Sequence, residues 1–313
     1  MPDLPRPPLQ RLLADAAHGV LLFAVTPPRS SASPERVKEI AAVTLDRLAP
    51  LDLDGLVLYD IDDESDRNPG ERPFPYLPTV DPARYHAEHL HGWDRPTVIY
   101  RCVSKYAEAD LRDWLGAADP RRVLGVFVGP SSSDKPVRTD LRRAQELRAE
   151  VCPDLHLGGV VIGERHTRRG DEHLRMLAKQ ERGCSFFVSQ VVYDVDETKD
   201  LVSDYFYACR DRGVAPRTVI FTLSLCGSPR TLEFLGWLGV DVPRWLRNSI
   251  NHAADPLSES YRQTLAIARD LADFCRHLGM PHGFNVESVS IRRAEIEATT
   301  DLAADVAALL DRP

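Results

Sequence analysis

The feature that most constrains this chain is a unit met eight times along its 313 residues: a short β-branched run followed by a longer amphipathic stretch. The apolar runs fall at 20–25, 56–59, 97–100, 123–128, 157–162, 185–188, 218–221 and 283–286. After the first run Pro34 opens a helix, with Val37, Ile40, Ala41, Val43, Leu45 and Leu48 on one face. Further helical stretches cover 107–115, 138–151, 170–182, 195–213, 228–238, 256–279 and 292–311. Eight strands, each followed by a helix, are the count for a single-domain α/β fold of the (β/α)8 TIM barrel type. An open, doubly wound sheet has the same periodicity and stays as the alternative.

No Gly- or Ser-rich linker divides the chain, so residues 1–313 read as one domain. Residues 1–15 form an N-terminal extension, and 60–81 form the one long irregular segment. A loop of that length inside a compact domain is usually functional. Leaving the C-terminal end of strand two, it would overhang the face where barrels keep their active sites.

Composition excludes several classes. A net charge of −8 argues against nucleic acid as the main partner, because phosphates call for a basic surface. The N-terminus lacks the apolar core of a signal peptide, and no apolar run reaches the ~18 residues that would span a bilayer. Six cysteines are scattered without a C-x-x-C pair, as expected of reduced thiols in the cytoplasm. A soluble cytoplasmic protein without membrane contact is the expectation; its oligomeric state is left open.

The rim rule of barrels gives the candidates for chemistry. They are Arg29 after strand one, the acidic stretch Asp60, Asp62, Asp63, Glu64 and Asp66 after strand two, and Arg101 after strand three. Gly129 and Ser131 to Ser133 follow strand four, and Glu164 and His166 follow strand five. Gln190, Tyr193 and Asp194 end strand six, and Glu287 and Ser288 end strand eight. Gln190 closes an apolar strand, where a buried amide needs partners that a ligand can supply. Glu287 likewise follows the run Phe284-Asn285-Val286. The acidic loop, taken alone, reads more readily as a solvated turn than as a site, and His166, beside three arginines, equally well as an exposed loop residue. Dinucleotide, P-loop, nucleophile-elbow and H-E-x-x-H signatures are absent, and no spacing singles out a metal cage.

Several segments resemble the methylenetetrahydrofolate reductase family. Phe23-Ala24-Val25-Thr26-Pro27-Pro28-Arg29-Ser30 is similar to its first-strand motif, and Ser189-Gln190-Val191-Val192-Tyr193-Asp194 to its sixth. Glu164-Arg165-His166 resembles the P-E-x-H after strand five, and Arg292-Arg293-Ala294-Glu295 the opening of the last helix. Gly183 and Lys179 stand at the family's offsets before Gln190. The resemblance implies a reduced folate as substrate, NAD(P)H as reductant and FAD as a possible cofactor. It implies that Gln190, Tyr193 and Arg29 contact substrate, with His166, Lys179, Glu172 and Gly129 toward the cofactor.

The departures are specific. The family's strand-one catalytic glutamate is Ala24 here, and Val128-Gly129-Pro130 replaces the R-G-D flavin motif. The long acidic loop resembles a divergent actinobacterial branch in which NADH reduces the folate without flavin. In a closed barrel strand eight lies beside strand one, so Glu287 is the expected replacement acid, with Glu64 as the second candidate. A one-carbon transferase and a non-catalytic folate-binding barrel are the competing functions.

Overall fold

A computed structural model describes residues 6–63, 68, 70–130 and 135–310. Its eight parallel strands are β1 (Val20–Val25), β2 (Gly55–Leu58), β3 (Thr97–Cys102), β4 (Val123–Val128), β5 (Leu157–Val161), β6 (Cys184–Val191), β7 (Thr218–Ser224) and β8 (His282–Glu287). They pair in chain order, and β8 returns to β1 with Val20 opposite Gly283 and Ala24 opposite Glu287. The fold is therefore a closed (β/α)8 barrel, and the open sheet is ruled out.

The helices are α1 (Leu9–Ala14), α2 (Pro34–Leu48), α3 (Pro82–His89), α4 (Glu108–Ala117), α5 (Leu141–Val151), α6 (Gly163–Arg169), α7 (Glu172–Glu181), α8 (Val195–Asp211), α9 (Pro229–Trp237), α10 (Arg244–His252), α11 (Pro256–Leu278) and α12 (Arg293–Leu309). Three of them, α1, α3 and α6, are too short for periodicity to have picked out, and α10 lies in the connection between the stretches at 228–238 and 256–279. None is long and apolar enough to cross a membrane among the described residues.

Inward-facing residues alternate along each strand, as the pleat requires. Val20, Leu22, Val57, Val98, Leu124, Val126, Phe186, Val188 and Ile220 form one apolar cluster inside the barrel. The N-terminal extension belongs to that cluster. Leu9, Leu12 and Leu13 of α1, at helical spacing, close the bottom of the barrel. The segment before α1 is tied down by Arg6, whose guanidinium grips Asp54 at 2.5 and 3.1 Å and the Gly19 carbonyl at 2.7 Å. The other strand face packs against the helix ring in a second, larger cluster.

The long loop is anchored at both ends. Asp60 accepts bonds from the Cys102 N–H (2.8 Å) and the Tyr106 hydroxyl (3.0 Å) and pairs with Lys105. At its far end Thr79 bridges to Arg29, and Val80 donates to the Pro28 carbonyl at 2.8 Å. Between these anchors the loop is held on α9. The Arg72 guanidinium lies 5.2–5.7 Å from the ring centres of Tyr76, Phe234 and Trp237, and the Trp237 indole donates to the Gly70 carbonyl at 2.9 Å. Helix α9 follows β7, so the contacts of Gly70 and Arg72 join the loop after β2 to the β7 side of the barrel. Stacking of a guanidinium on aromatic faces contributes about 0.5–2 kcal/mol per contact, more where water is excluded.

Gly158 is a tight point of the interior: a Cβ there would sit 2.5 Å from the Phe186 ring and 2.8 Å from Val126. Neither neighbour has room to retreat, so Gly158→Ala is expected to cost about 1–3 kcal/mol. A urea midpoint equal to that of the parent would contradict this packing.

Candidate active site at the barrel mouth

The interior changes character toward the C-terminal ends of the strands. Along β7 the residues in phase with Ile220 are Thr222 and Ser224, and along β8 those in phase with Gly283 are Asn285 and Glu287. Polar side chains thus replace aliphatic ones at the mouth, and they bond to one another across strands. The Asn285 amide donates to the Tyr59 hydroxyl at 3.0 Å and to Thr222 Oγ1 at 3.3 Å. Thr222 Oγ1 donates to the Ser189 carbonyl at 2.8 Å. The Tyr59 hydroxyl donates to Glu287 Oε2, and the Tyr59 ring packs edge-on against Tyr100 at 4.9 Å.

Glu287 stands in register with Ala24 on one side and Ser224 on the other. The methyl group of Ala24 therefore borders the carboxyl that the sequence offered as its substitute. Only 8% of Glu287 is exposed, and burial pushes its carboxyl up to about 7, against the opposing pull of the Tyr59 hydrogen bond. Burial also raises the Tyr59 phenol well above its ordinary range. Two polar atoms nearby, Ser224 Oγ and Asn285 Oδ1, are buried without a partner among the described residues. Buried polar atoms are nearly always satisfied, so such a pair at a barrel mouth is what a ligand's donors and acceptors would complete.

A second feature lies at the β5 side of the same face. A cavity of about 300 Å³ is lined by Asn68, Ile162, Glu164, Arg165, Arg168, Arg169, Trp237 and Gly239. Glu164 accepts from the Asp241 N–H at 3.2 Å, and burial pushes its carboxyl up to about 7. Of the three arginines on its wall, Arg165 is paired with Glu172 and Arg168 with Asp241, which leaves Arg169 as the one without an ion pair among the described residues.

The remaining candidates divide by which layer they occupy. Gln190 lies at an irregularity in the β6–β7 pairing, half-buried, its amide donating to the Leu238 carbonyl at 3.3 Å. Arg29 is exposed at the rim beside the returning loop. At Gly129, also on the rim, an added Cβ would meet nothing within 4 Å among the described residues. Glu64, Asp66 and Ser131 to Ser133 lie outside the described residues.

Four expectations need correction. Tyr193 is 2% exposed and its hydroxyl donates to the Ser224 carbonyl at 2.7 Å, so it props the end of β7 and does not face the mouth. Glu172, the first residue of α7, is fully buried, and Arg165 holds both its oxygens at 3.1–3.2 Å. Lys179 crosses the outer face of β5 at Gly159, donates to the Val160 carbonyl at 2.5 Å and lies 3.8 Å from Glu172. Burial lowers its pKa. His166 turns toward α8 and meets Asp204 at 3.1 Å. Spacing placed these residues near strand ends; it could not say which face of a strand or helix each occupies.

Tyr59, Thr222, Ser224 and Asn285 were missed as a set. For Thr222, Ser224 and Asn285 the signal was present in the period-two alternation of β7 and β8, where inward positions turn polar only near the C-terminal end.

Neither a protein-family model nor a curated protein sequence matches the chain. Among solved structures, an uncharacterized protein from Clostridium thermocellum that binds two copies of 5-methyl-5,6,7,8-tetrahydrofolic acid is 38% identical, with a TM-score of 0.85 over 96% of this chain and 99% of that one. At that identity and coverage this chain belongs to the same family of (β/α)8 barrels as the clostridial protein. More distant barrels share the fold alone. They include the oxygenating constituent of 3,6-diketocamphane monooxygenase from Pseudomonas putida (10% identity, TM-score 0.55, covering 95% of this chain and 99% of that one). A psychrophilic family 10 endo-β-1,4-xylanase is 11% identical, with a TM-score of 0.52 over 96% and 99% of the two chains.

The raised carboxyl has a measurable consequence. Between the ordinary value of 4.5 and about 7, folded Glu287 holds a proton that the unfolded chain releases. Its contribution to stability is thus complete below pH 4.5 and is lost as pH rises through 7, at about 1.4 kcal/mol for each tenfold difference in proton affinity between the folded and unfolded chain. Glu287→Gln should flatten the fall in unfolding free energy between pH 5 and pH 8, measured by urea titration at each pH. A slope identical to that of the parent would show that Glu287 is ionised in the folded protein throughout.

Proposed function

We propose that this protein binds a reduced folate in the mouth of its barrel and acts as a methylenetetrahydrofolate reductase-like oxidoreductase, with NAD(P)H as reductant and no flavin. The observation that carries the reading is the ligand of the 38% identical clostridial protein, 5-methyltetrahydrofolic acid, which is the product such a reduction would release. The polar cluster around Glu287 gives that ligand a place, and the motif at Gln190 gives it an orientation. In this reading the Gln190 amide exchanges its 3.3 Å bond to Leu238 for the pterin ring. Ser224 Oγ and Asn285 Oδ1 supply the polar contacts that they otherwise lack.

The chemistry requires one proton and one hydride. Glu287, protonated over much of the neutral range, donates its proton to N10 as the bond between N10 and the bridging methylene breaks. Hydride from the reduced nicotinamide then completes the methyl group on N5. Tyr59, hydrogen-bonded to Glu287, stabilises the carboxylate left behind and fixes its orientation. The cavity beside the mouth, with Arg169 on its wall and Arg168 held by the exposed Asp241, is where this reading puts the phosphates of the nicotinamide cosubstrate. No step runs through a flavin, because the residues assigned to it by resemblance are committed elsewhere: His166 to Asp204, and Lys179 to Val160 and Glu172.

The test combines a visible spectrum with a coupled assay. The reading expects a colourless protein that binds 5-methyltetrahydrofolate and oxidises NADH or NADPH only when methylenetetrahydrofolate is present. Glu287→Gln should then lose about 10²–10⁴ in turnover while retaining folate affinity. Folate binding without nicotinamide oxidation would replace the reductase by a one-carbon transferase or a binding barrel. Failure to bind any reduced folate would overturn the reading.

A further inference from the structure

Away from the mouth, in the helix layer over β5 and β6, three side chains from three consecutive helices converge. His166 comes from α6, His173 from α7 and Asp204 from α8. One donor atom from each lies within 4.8 Å of the other two. His166 is 6% exposed, and its Nε2 stands 3.1 Å from Asp204 Oδ2. The imidazoles of His166 and His173 meet edge to face with ring centres 5.2 Å apart, and the Nδ1 atoms of both are buried without a hydrogen-bond partner among the described residues. Among those residues no lysine or arginine lies within ion-pair distance of Asp204, so its carboxylate is balanced only by the imidazole.

An edge-to-face imidazole pair beside one carboxylate, with the Nδ1 of His173 buried and unsatisfied, is poorly explained as packing alone. A second histidine adds nothing to the His166–Asp204 bond, and a buried ring nitrogen without a partner is costly. We propose that His166, His173 and Asp204 form a binding site for one divalent transition cation of the zinc type. Bonds of about 2.0–2.2 Å from imidazole nitrogen and carboxylate oxygen in tetrahedral geometry place ligand atoms roughly 3.3 Å apart. The 3.1 Å separation of His166 from Asp204 already matches one such edge. Closing the rest requires side-chain rotation at Asp204, whose side chain is 56% exposed, and at His173, which is half-buried. Water completes the fourth position. Nitrogen-rich donors favour zinc, nickel or copper over magnesium and calcium, which prefer an all-oxygen shell.

Such an ion would cross-link α6, α7 and α8. Helix α6 also carries Glu164, Arg165, Arg168 and Arg169 to the cavity wall, so the cation would fix that wall from behind. The site does not depend on folate chemistry and stands whether or not the proposed reaction is correct.

The test is metal binding to the full-length protein after treatment with chelator. Equilibrium dialysis against zinc should give one ion per chain, and zinc but not magnesium should raise the melting temperature by mass action. His173→Ala and Asp204→Asn, at positions where loss of the side chain leaves the core intact, should each weaken zinc binding about tenfold or more and abolish the thermal shift. Cobalt substitution should give absorption from nitrogen and oxygen ligands without a thiolate charge-transfer band. The proposal is overturned if zinc is not retained, if both variants bind it as the parent does, or if the cobalt spectrum reports cysteine.

Discussion

The pairing of β8 with β1 is the contact on which both the fold and the site depend. It closes the barrel from Val20 opposite Gly283 to Ala24 opposite Glu287, and its last rung joins a methyl group to a carboxyl that burial raises to about 7. Without closure those two residues would sit on opposite edges of an open sheet. With it, Glu287 is enclosed by Ala24, Ser224 and Tyr59. Closure also supplies the low-dielectric surroundings that keep the carboxyl uncharged.

What lies above that rung is organised by insertions in the loops. Helix α6 after β5, helices α9 and α10 after β7, and the loop after β2 meet over the C-terminal face. Arg72 packed among Tyr76, Phe234 and Trp237, the Glu164 bond to the Asp241 N–H, and the Gln190 bond to Leu238 join these pieces. The barrel provides a fixed polar floor, and the loops provide a cover tied together by hydrogen bonds, by the cation–aromatic contacts of Arg72 and Arg230, and by the Arg168–Asp241 ion pair. Such a division suits a site that excludes water during reaction yet must admit a large ligand.

Much of the architecture was legible in the sequence because period-two runs and amphipathic helices repeat with little interruption. All eight strands lie where their β-branched runs predicted, and β6 and β7 extend further than those runs. Helices α1, α3 and α6 escaped because six to eight residues give too few turns for periodicity to show, and α10 because it reads as part of the connection between the stretches at 228–238 and 256–279. Within the site, Glu287 could be placed beside Ala24 from barrel topology alone, since strand order fixes neighbours. Tyr193, Glu172, Lys179 and His166 were misplaced for the converse reason. Closeness to a strand end in sequence does not determine whether a side chain enters the mouth or turns into the helix layer. That choice is made by packing, as at Gly159, where the absent side chain leaves room for Lys179 against the outside of the barrel.

The proposed reaction rests on a carboxyl group that keeps its proton near neutrality while facing the space a folate would fill. Carbon-13 NMR of protein labelled at the glutamate carboxyl carbon reads that state directly, with Glu287→Gln identifying the resonance. The structure predicts a carboxyl that titrates near pH 7 and whose chemical shift moves when 5-methyltetrahydrofolate is added. A resonance that titrates near 4.5 and ignores the folate would contradict it.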